Sequence, residues 1–169
     1  MSDFAFVRSA RDLQASDHIS WPTCQAFKML SHHAIVVKAT GYGSEFKVIH
    51  VVGDMYSPAS AIAVCCTAQF SFDRSGWVCE QTIDLDEPIR NSNLRRYNYP
   101  PGECNPPAKV IKNARSKLGM FNYNALYNNC EHFAQWCKTG NRISYQAFTF
   151  AIIMLILAVA LGVYSLYSK

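Results

Sequence analysis

The sequence predicts an α+β fold: an antiparallel sheet first, then a cysteine-bearing helix, then one helix able to cross a membrane. Three observations carry this. Between Asp17 and Leu85, apolar stretches of strand length alternate with clusters of Gly, Pro and Asp. Beyond Pro107 the apolar spacing lengthens from two to between three and four, the helical period. From Ile143 to Ser168 no residue is charged.

Residues 1–12 contain Asp3, Arg8, Arg11 and Asp12 without a long apolar run, so they are no secretory signal and are expected to form a flexible N-terminus. Residues 17–22 (DHISWP) make a short strand stopped by proline. A lone strand histidine such as His18 is expected to be structural. A loop through Cys24 and Phe27 leads to residues 30–37 (LSHHAIVV), a strand by its β-branched content. Alternation places His32, Ala34 and Val36 on one face and His33, Ile35 and Val37 on the other. Only one of the paired histidines can therefore point at a given site.

Residues 40–44 turn the chain, and residues 45–52 (EFKVIHVV) return as the hairpin partner, with Val48, His50 and Val52 sharing a face. A histidine on each arm can bring two imidazoles together. Two further strands are expected at residues 61–70, with Cys65 and Cys66 in the core, and at residues 76–85, joined by a turn at residues 73–76. Asp84, Asp86 and Glu87 close a strand and are expected to be solvated rather than to form a carboxylate site. Residues 90–107 are irregular and expected to connect, although Arg95 and Arg96 beside Tyr97 and Tyr99 would also suit a binding loop near a membrane. Pro107 opens a helix that Gly119 ends, with Val110, Ile111, Ala114 and Leu118 inward and Lys109, Lys112, Arg115 and Lys117 outward. Residues 120–127 are expected to be a loop.

The next helix carries the chemistry. Asn128 and Asn129 are good caps, Glu131 sits where the helix dipole favours an anion, and Lys138 and Gly140 are stop signals. Cys130, Phe133, Ala134 and Cys137 then share an inward face. A thiol in a first helical turn is eased toward thiolate by the unpaired N–H groups, which predicts a pKa of about 7.5 or less for Cys130. Against this stands the ordinary role of a buried free cysteine as a small hydrophobe.

Residues 147–167 are long enough to cross about 30 Å of hydrocarbon at about 1.5 Å per residue. Lys138 and Arg142 precede the run, Lys169 follows it, and Tyr145, Tyr164 and Tyr167 lie where an interfacial aromatic belt would be. A single-pass C-terminal anchor is expected, its domain facing the cytosol. Seven cysteines, an odd number with one adjacent pair, have neither disulfide-framework nor zinc-site spacing and suit a reducing compartment. The net charge of +4 is spread along the chain and gives no argument for nucleic acid as a partner.

The segments Asp17-His18-Ile19, His32-His33-Ala34-Ile35-Val36-Val37, Val48-Ile49-His50 and Asn129-Cys130-Glu131-His132-Phe133, with the anchor after them, resemble the lecithin retinol acyltransferase-like family. That family includes the H-Ras-like suppressor phospholipase/acyltransferases. The resemblance covers roughly residues 13–140. It implies a permuted papain-like (NlpC-type) catalytic domain over residues 13–142, with the anchor at 143–169. In the family's register Cys130 is the nucleophile, His32 the base and His50 the residue that orients the base. His33 takes the place usually held by Trp or Tyr, and His132 is not the base.

The implied activity is a thiol-dependent phospholipase A/acyltransferase. It would cleave acyl esters of glycerophospholipids through a thioester on Cys130 and pass the acyl group to water, a lysophospholipid or the amine of phosphatidylethanolamine. No metal or cofactor is implied. The retinol-esterifying branch carries an insertion for which the spacing from His50 to Cys130 leaves no obvious room, so the phospholipase branch is expected. The alternatives are a retinol-type O-acyltransferase, a thiol peptidase or amidase, and a non-enzymatic membrane-anchored signalling or interaction protein.

Overall fold

The computed structural model describes residues 3–22, 31–39, 43–53, 74–86 and 93–168. Seven strands among them form one antiparallel sheet: β1 (Phe4–Phe6), β2 (His18–Pro22), β3 (Ser31–Ala39), β4 (Glu45–Gly53), β5 (Arg74–Asp84), β6 (Arg95–Tyr97) and β7 (Gly119–Tyr123). Their spatial order is β1-β6-β2-β3-β4-β5-β7. Three helices follow the sheet's first six strands: α1 (Pro107–Arg115), α2 (Cys130–Thr139) and α3 (Tyr145–Tyr167).

The period-two pattern divides the sheet into two apolar faces. On one, Ile19, Trp21, Ala34, Val36, Phe46 and Val48 are buried beneath Val7, Ala10, Leu13, Leu85 and Leu94. On the other, Ile35, Ile49, Val51 and Val78 meet Val110 and Ala114 of α1 and Cys130, Phe133, Ala134 and Cys137 of α2. Each fully buried isoleucine, such as Ile35 or Ile49, contributes on the order of 1.5–3 kcal/mol over its exposed state. The sheet is thus a two-sided core, and α2 is held by its apolar stripe against β3 and β4.

Several expectations change. The N-terminal segment is not loose: β1 pairs with β6, and Ser9 caps a short 3-10 turn at Ala10–Asp12. Residues 95–97, expected in a connector, form β6 and lie between β1 and β2. Arg74 and Ser75 belong to β5 rather than a turn. The helix from Pro107 stops at Arg115, which leaves Leu118 exposed, and Gly119 with φ +113° starts a strand where a loop was expected. The strand expected at residues 61–70, with Cys65 and Cys66, lies outside the described residues.

The hairpin of β3 and β4 forms in the expected register, with Ala34 opposite His50 and Val36 opposite Val48. Helix α3 runs 23 residues, uncharged and nearly all exposed, and is long and apolar enough to cross a membrane. Lys138 does not flank it at the membrane surface. Its ammonium turns inward to the Ser16 carbonyl at 2.9 Å, leaving Arg142 as the preceding exposed cation.

Candidate active site

Helix α2 begins as its sequence requires. Asn129 Oδ1 accepts the N–H groups of Glu131 (2.9 Å) and His132 (3.1 Å), while His132 Nδ1 accepts the Asn129 N–H at 3.3 Å. The cap therefore occupies the second and third amides of the helix and leaves the first, that of Cys130, at its open end. At the far end Gly140 takes the left-handed conformation, φ +88°, and donates to the Trp136 carbonyl. His132 Nδ1 takes part in this cap.

Cys130 is 3 % exposed, and its Sγ lies 3.9 Å from the carbonyl oxygen of Ser31. Burial pushes its thiol up to about 12, against the relief offered by backbone N–H groups of His33, Glu131 and Cys130. This corrects the expectation of an eased thiol. The helix-terminal amides act in the predicted direction, but desolvation and the adjacent Glu131 charge outweigh them. The resting Cys130 is a neutral thiol.

Two histidine relays run on opposite faces of β3. In the first, His32 Nε2 meets His50 Nδ1 at 2.8 Å, and His50 Nε2 meets Gln81 Oε1 at 3.0 Å. Because the amide oxygen can only accept, His50 carries its hydrogen on Nε2 and accepts at Nδ1 from His32 Nε2–H. That puts the basic lone pair of His32 on Nδ1. Trp21 packs against the His32 ring, with centroids 4.9 Å apart.

In the second relay, Gln146 Nε2 donates to His33 Nε2 (2.7 Å), and His33 Nδ1 meets His18 Nε2 (2.8 Å). His18 Nδ1 meets the Tyr99 hydroxyl (2.6 Å), which donates to Gln135 Oε1 (3.1 Å). The direction is again fixed by its ends, and all four ring nitrogens of His18 and His33 are used. Burial lowers His33 to about 4 and His18 well below its ordinary value, so both are neutral.

The structure brings His32 and His50 into contact, as their shared face predicted. It brings Cys130 to the main chain of Ser31 and His33, on either side of His32, with the helix packed on the face opposite the two imidazoles. Paired residues of β3 and β4 run only as far as Ala34 and His50, whereas β4 stays paired with β5 up to Gly53. Beyond that parting Ser31 gives its N–H to Gln146 Oε1 at 2.6 Å.

Gln81, Gln146, Tyr99 and Gln135 were not anticipated. Gln81 had a weak signal, a polar residue among strand apolars opposite Val48. Gln146 had a stronger one, a lone amide inside an uncharged apolar run.

A family model described as lecithin retinol acyltransferase matches residues 11–143. Over 39 residues the chain is 49 % identical to lecithin retinol acyltransferase of Mus musculus and 46 % identical to that of Rattus norvegicus. The shared stretch is 23 % of this chain and 17 % of each relative, so the chain spans less than a fifth of the curated proteins it matches.

Proposed function

The chain belongs to the lecithin retinol acyltransferase family, whose members are acyltransferases, and from that premise we propose a phospholipase A/acyltransferase that works through an acyl thioester on Cys130. The observation that supports the assignment of roles is the His32–His50–Gln81 relay, whose polarity puts the basic lone pair of His32 on Nδ1, on the strand whose main chain Cys130 approaches from the other face. His33 lies on the face of Cys130 with both ring nitrogens engaged, by Gln146 and His18, and the family register assigns the base to His32. The sheet packed by a helix with a cysteine at its first residue supports the permuted papain-like reading.

In this mechanism His32 Nδ1 takes the thiol proton as Sγ attacks the ester carbonyl of a glycerophospholipid. A general base contributes about 10²–10⁴-fold to such a step, and here it is required because burial keeps the thiol protonated. The Cys130 N–H, left open by the Asn129 cap, stabilises the oxyanion. The intermediate collapses, the C–O bond breaks, and the imidazolium returns its proton to the leaving lysophospholipid alkoxide. Water or a lipid acceptor, deprotonated by the same nitrogen, then cleaves the thioester. His50 holds the His32 tautomer through each transfer. Helix α3 keeps the domain at the bilayer that holds its substrate, and Arg142 before it suits a cytosolic domain.

The local identity to lecithin retinol acyltransferase favours a second acceptor class, a retinol-type alcohol. The deciding experiment is intact-protein mass spectrometry of the full chain with phosphatidylcholine vesicles, with and without retinol. An acyl adduct that requires Cys130 and His32 and survives His33→Gln is expected. Absence of any adduct, fatty acid or lysophospholipid would refute enzymatic turnover and leave the non-enzymatic alternative.

A further inference from the structure

The buried carboxylate of Glu131, the residue after the nucleophile, faces α3. Its Oε2 accepts from Ser144 Oγ at 2.6 Å, from the Gln146 main-chain N–H at 3.0 Å and from Gln146 Nε2 at 3.3 Å. Ser144 is the N-cap of α3 and accepts from Asn129 Nδ2 at 3.1 Å. The same side chain clasps β3: Oε1 takes the Ser31 N–H (2.6 Å), and Nε2 shares its two hydrogens among Glu131 Oε2, the Ser31 carbonyl (3.2 Å) and His33 Nε2 (2.7 Å). The Ser31 carbonyl is also the group beside Cys130 Sγ. One amide side chain thus touches the first turn of the cysteine helix and the strand edge at which the thiol sits.

We propose that Gln146 and Glu131 form a polar latch by which the first turn of the membrane-type helix positions the Ser31–His33 edge against Cys130, making α3 part of the catalytic alignment. This rests on the acyl-transfer reading above and adds a positioning role for a helix otherwise needed only as an anchor. Where β4 parts from β3, Gln146 offers Ser31 an acceptor for its N–H and a donor for its C=O, the kinds of partner a paired strand gives. Gln146 also fixes the His33 tautomer, since its Nε2–H requires a lone pair on His33 Nε2. Without it, the strand end that carries His32 loses its tie through Glu131 to the first turn of the cysteine helix.

The test uses the full chain in phosphatidylcholine nanodiscs. Gln146→Met keeps length and volume but cannot accept or donate, Gln146→Asn is shorter by one carbon, and Phe148→Leu alters an outward position on the same helix, 66 % exposed. Three quantities are read: acyl adduct on Cys130, the pH profile of Cys130 alkylation by iodoacetamide, and hydrogen exchange of the Ser31 amide. Misplacement of reacting groups by about 1 Å costs about 10²-fold, so Gln146→Met is expected to slow adduct formation by about 10- to 100-fold. It is also expected to shift the alkylation profile and to speed Ser31 exchange, with membrane insertion retained. Gln146→Asn falls between, and Phe148→Leu matches wild type. Wild-type adduct rate and alkylation profile in Gln146→Met would overturn the latch. If the wild type itself forms no adduct, the acyl-transfer reading fails separately; altered alkylation and exchange would still support the latch, and unaltered ones would overturn it. Should Gln146→Met not fold, Gln146→Asn carries the same comparison.

Discussion

Lowering the pH to about 5 is expected to destabilise the domain through His33 and His18, and the size of the effect follows from linkage. His33 is lowered from 6.5 to about 4, first by burial. A depressed histidine binds its proton more readily in the unfolded chain, so stability rises with pH between the folded and unfolded values. It is fully present above 6.5 and is lost as the pH falls toward 4. At about pH 5 the unfolded imidazole is almost fully protonated and the folded one about one-tenth so, giving a loss of about 2 kcal/mol from His33 alone and a slope of about 1.2 kcal/mol per pH unit. His18 adds to the loss in the same direction. The structural cause is donor crowding: a proton on His33 Nε2 would face the Gln146 N–H, and turning the Gln146 amide would forfeit its bond from Ser31. Urea unfolding of the full chain in detergent, from neutral pH to about 5, measures this. His33→Gln, which has no titrating group, should flatten the slope by the His33 share. An unchanged slope in His33→Gln, or no slope in the wild type, would refute the neutral relay.

Three further outcomes are expected. Replacing Asn129 with Ala removes the acceptor for two amides and should cost about 1 kcal/mol in unfolding experiments, with a larger loss of Cys130 acylation because the helix end that presents the thiol frays. His50→Ala should lower acylation by about 10- to 100-fold through misplacement of His32 while leaving lipid binding intact, and Gln81→Leu should reproduce a smaller part of that loss, since Gln81 Oε1 bonds His50 Nε2. Gly76→Ala should destabilise the β4–β5 pairing by about 1–3 kcal/mol, because an added Cβ would stand 2.9 Å from the Val52 carbonyl oxygen; a melting temperature equal to wild type would contradict it.

Legibility from sequence tracked how local the determining interactions are. Helix α2 is written into its own residues, with Asn129 before it, Gly140 after it and a four-residue apolar stripe between. The β3–β4 hairpin is likewise local, and its alternation placed His32 and His50 together. Strand β6 was illegible because Arg95-Arg96-Tyr97 has no apolar pattern of its own. It is a strand because β1 and β2 lie on either side of it. Strand β7 was hidden by Gly119, whose positive φ serves a turn into a strand as readily as a helix stop. The thiol's environment was misjudged because helix-end amides are visible in sequence and desolvation is not. Gln146 escaped notice because its partners, Ser31 and His33, are more than a hundred residues away.

The connection between α2 and α3 is only Gly140–Ser144, which even fully extended could not reach beyond about 18 Å, and Ser144 is itself bound to Glu131. A head domain on so short a stalk has no leash. With α3 in a bilayer, the head meets lipids only in the leaflet at its own foot and searches for them by lateral diffusion. It does not sample an apposed membrane or a micelle passing in solution. On the proposed acyl-transfer reading, substrate supply is then set by the composition of the host leaflet, so moving α3 and its domain to another membrane would change the lipids within reach without altering the site.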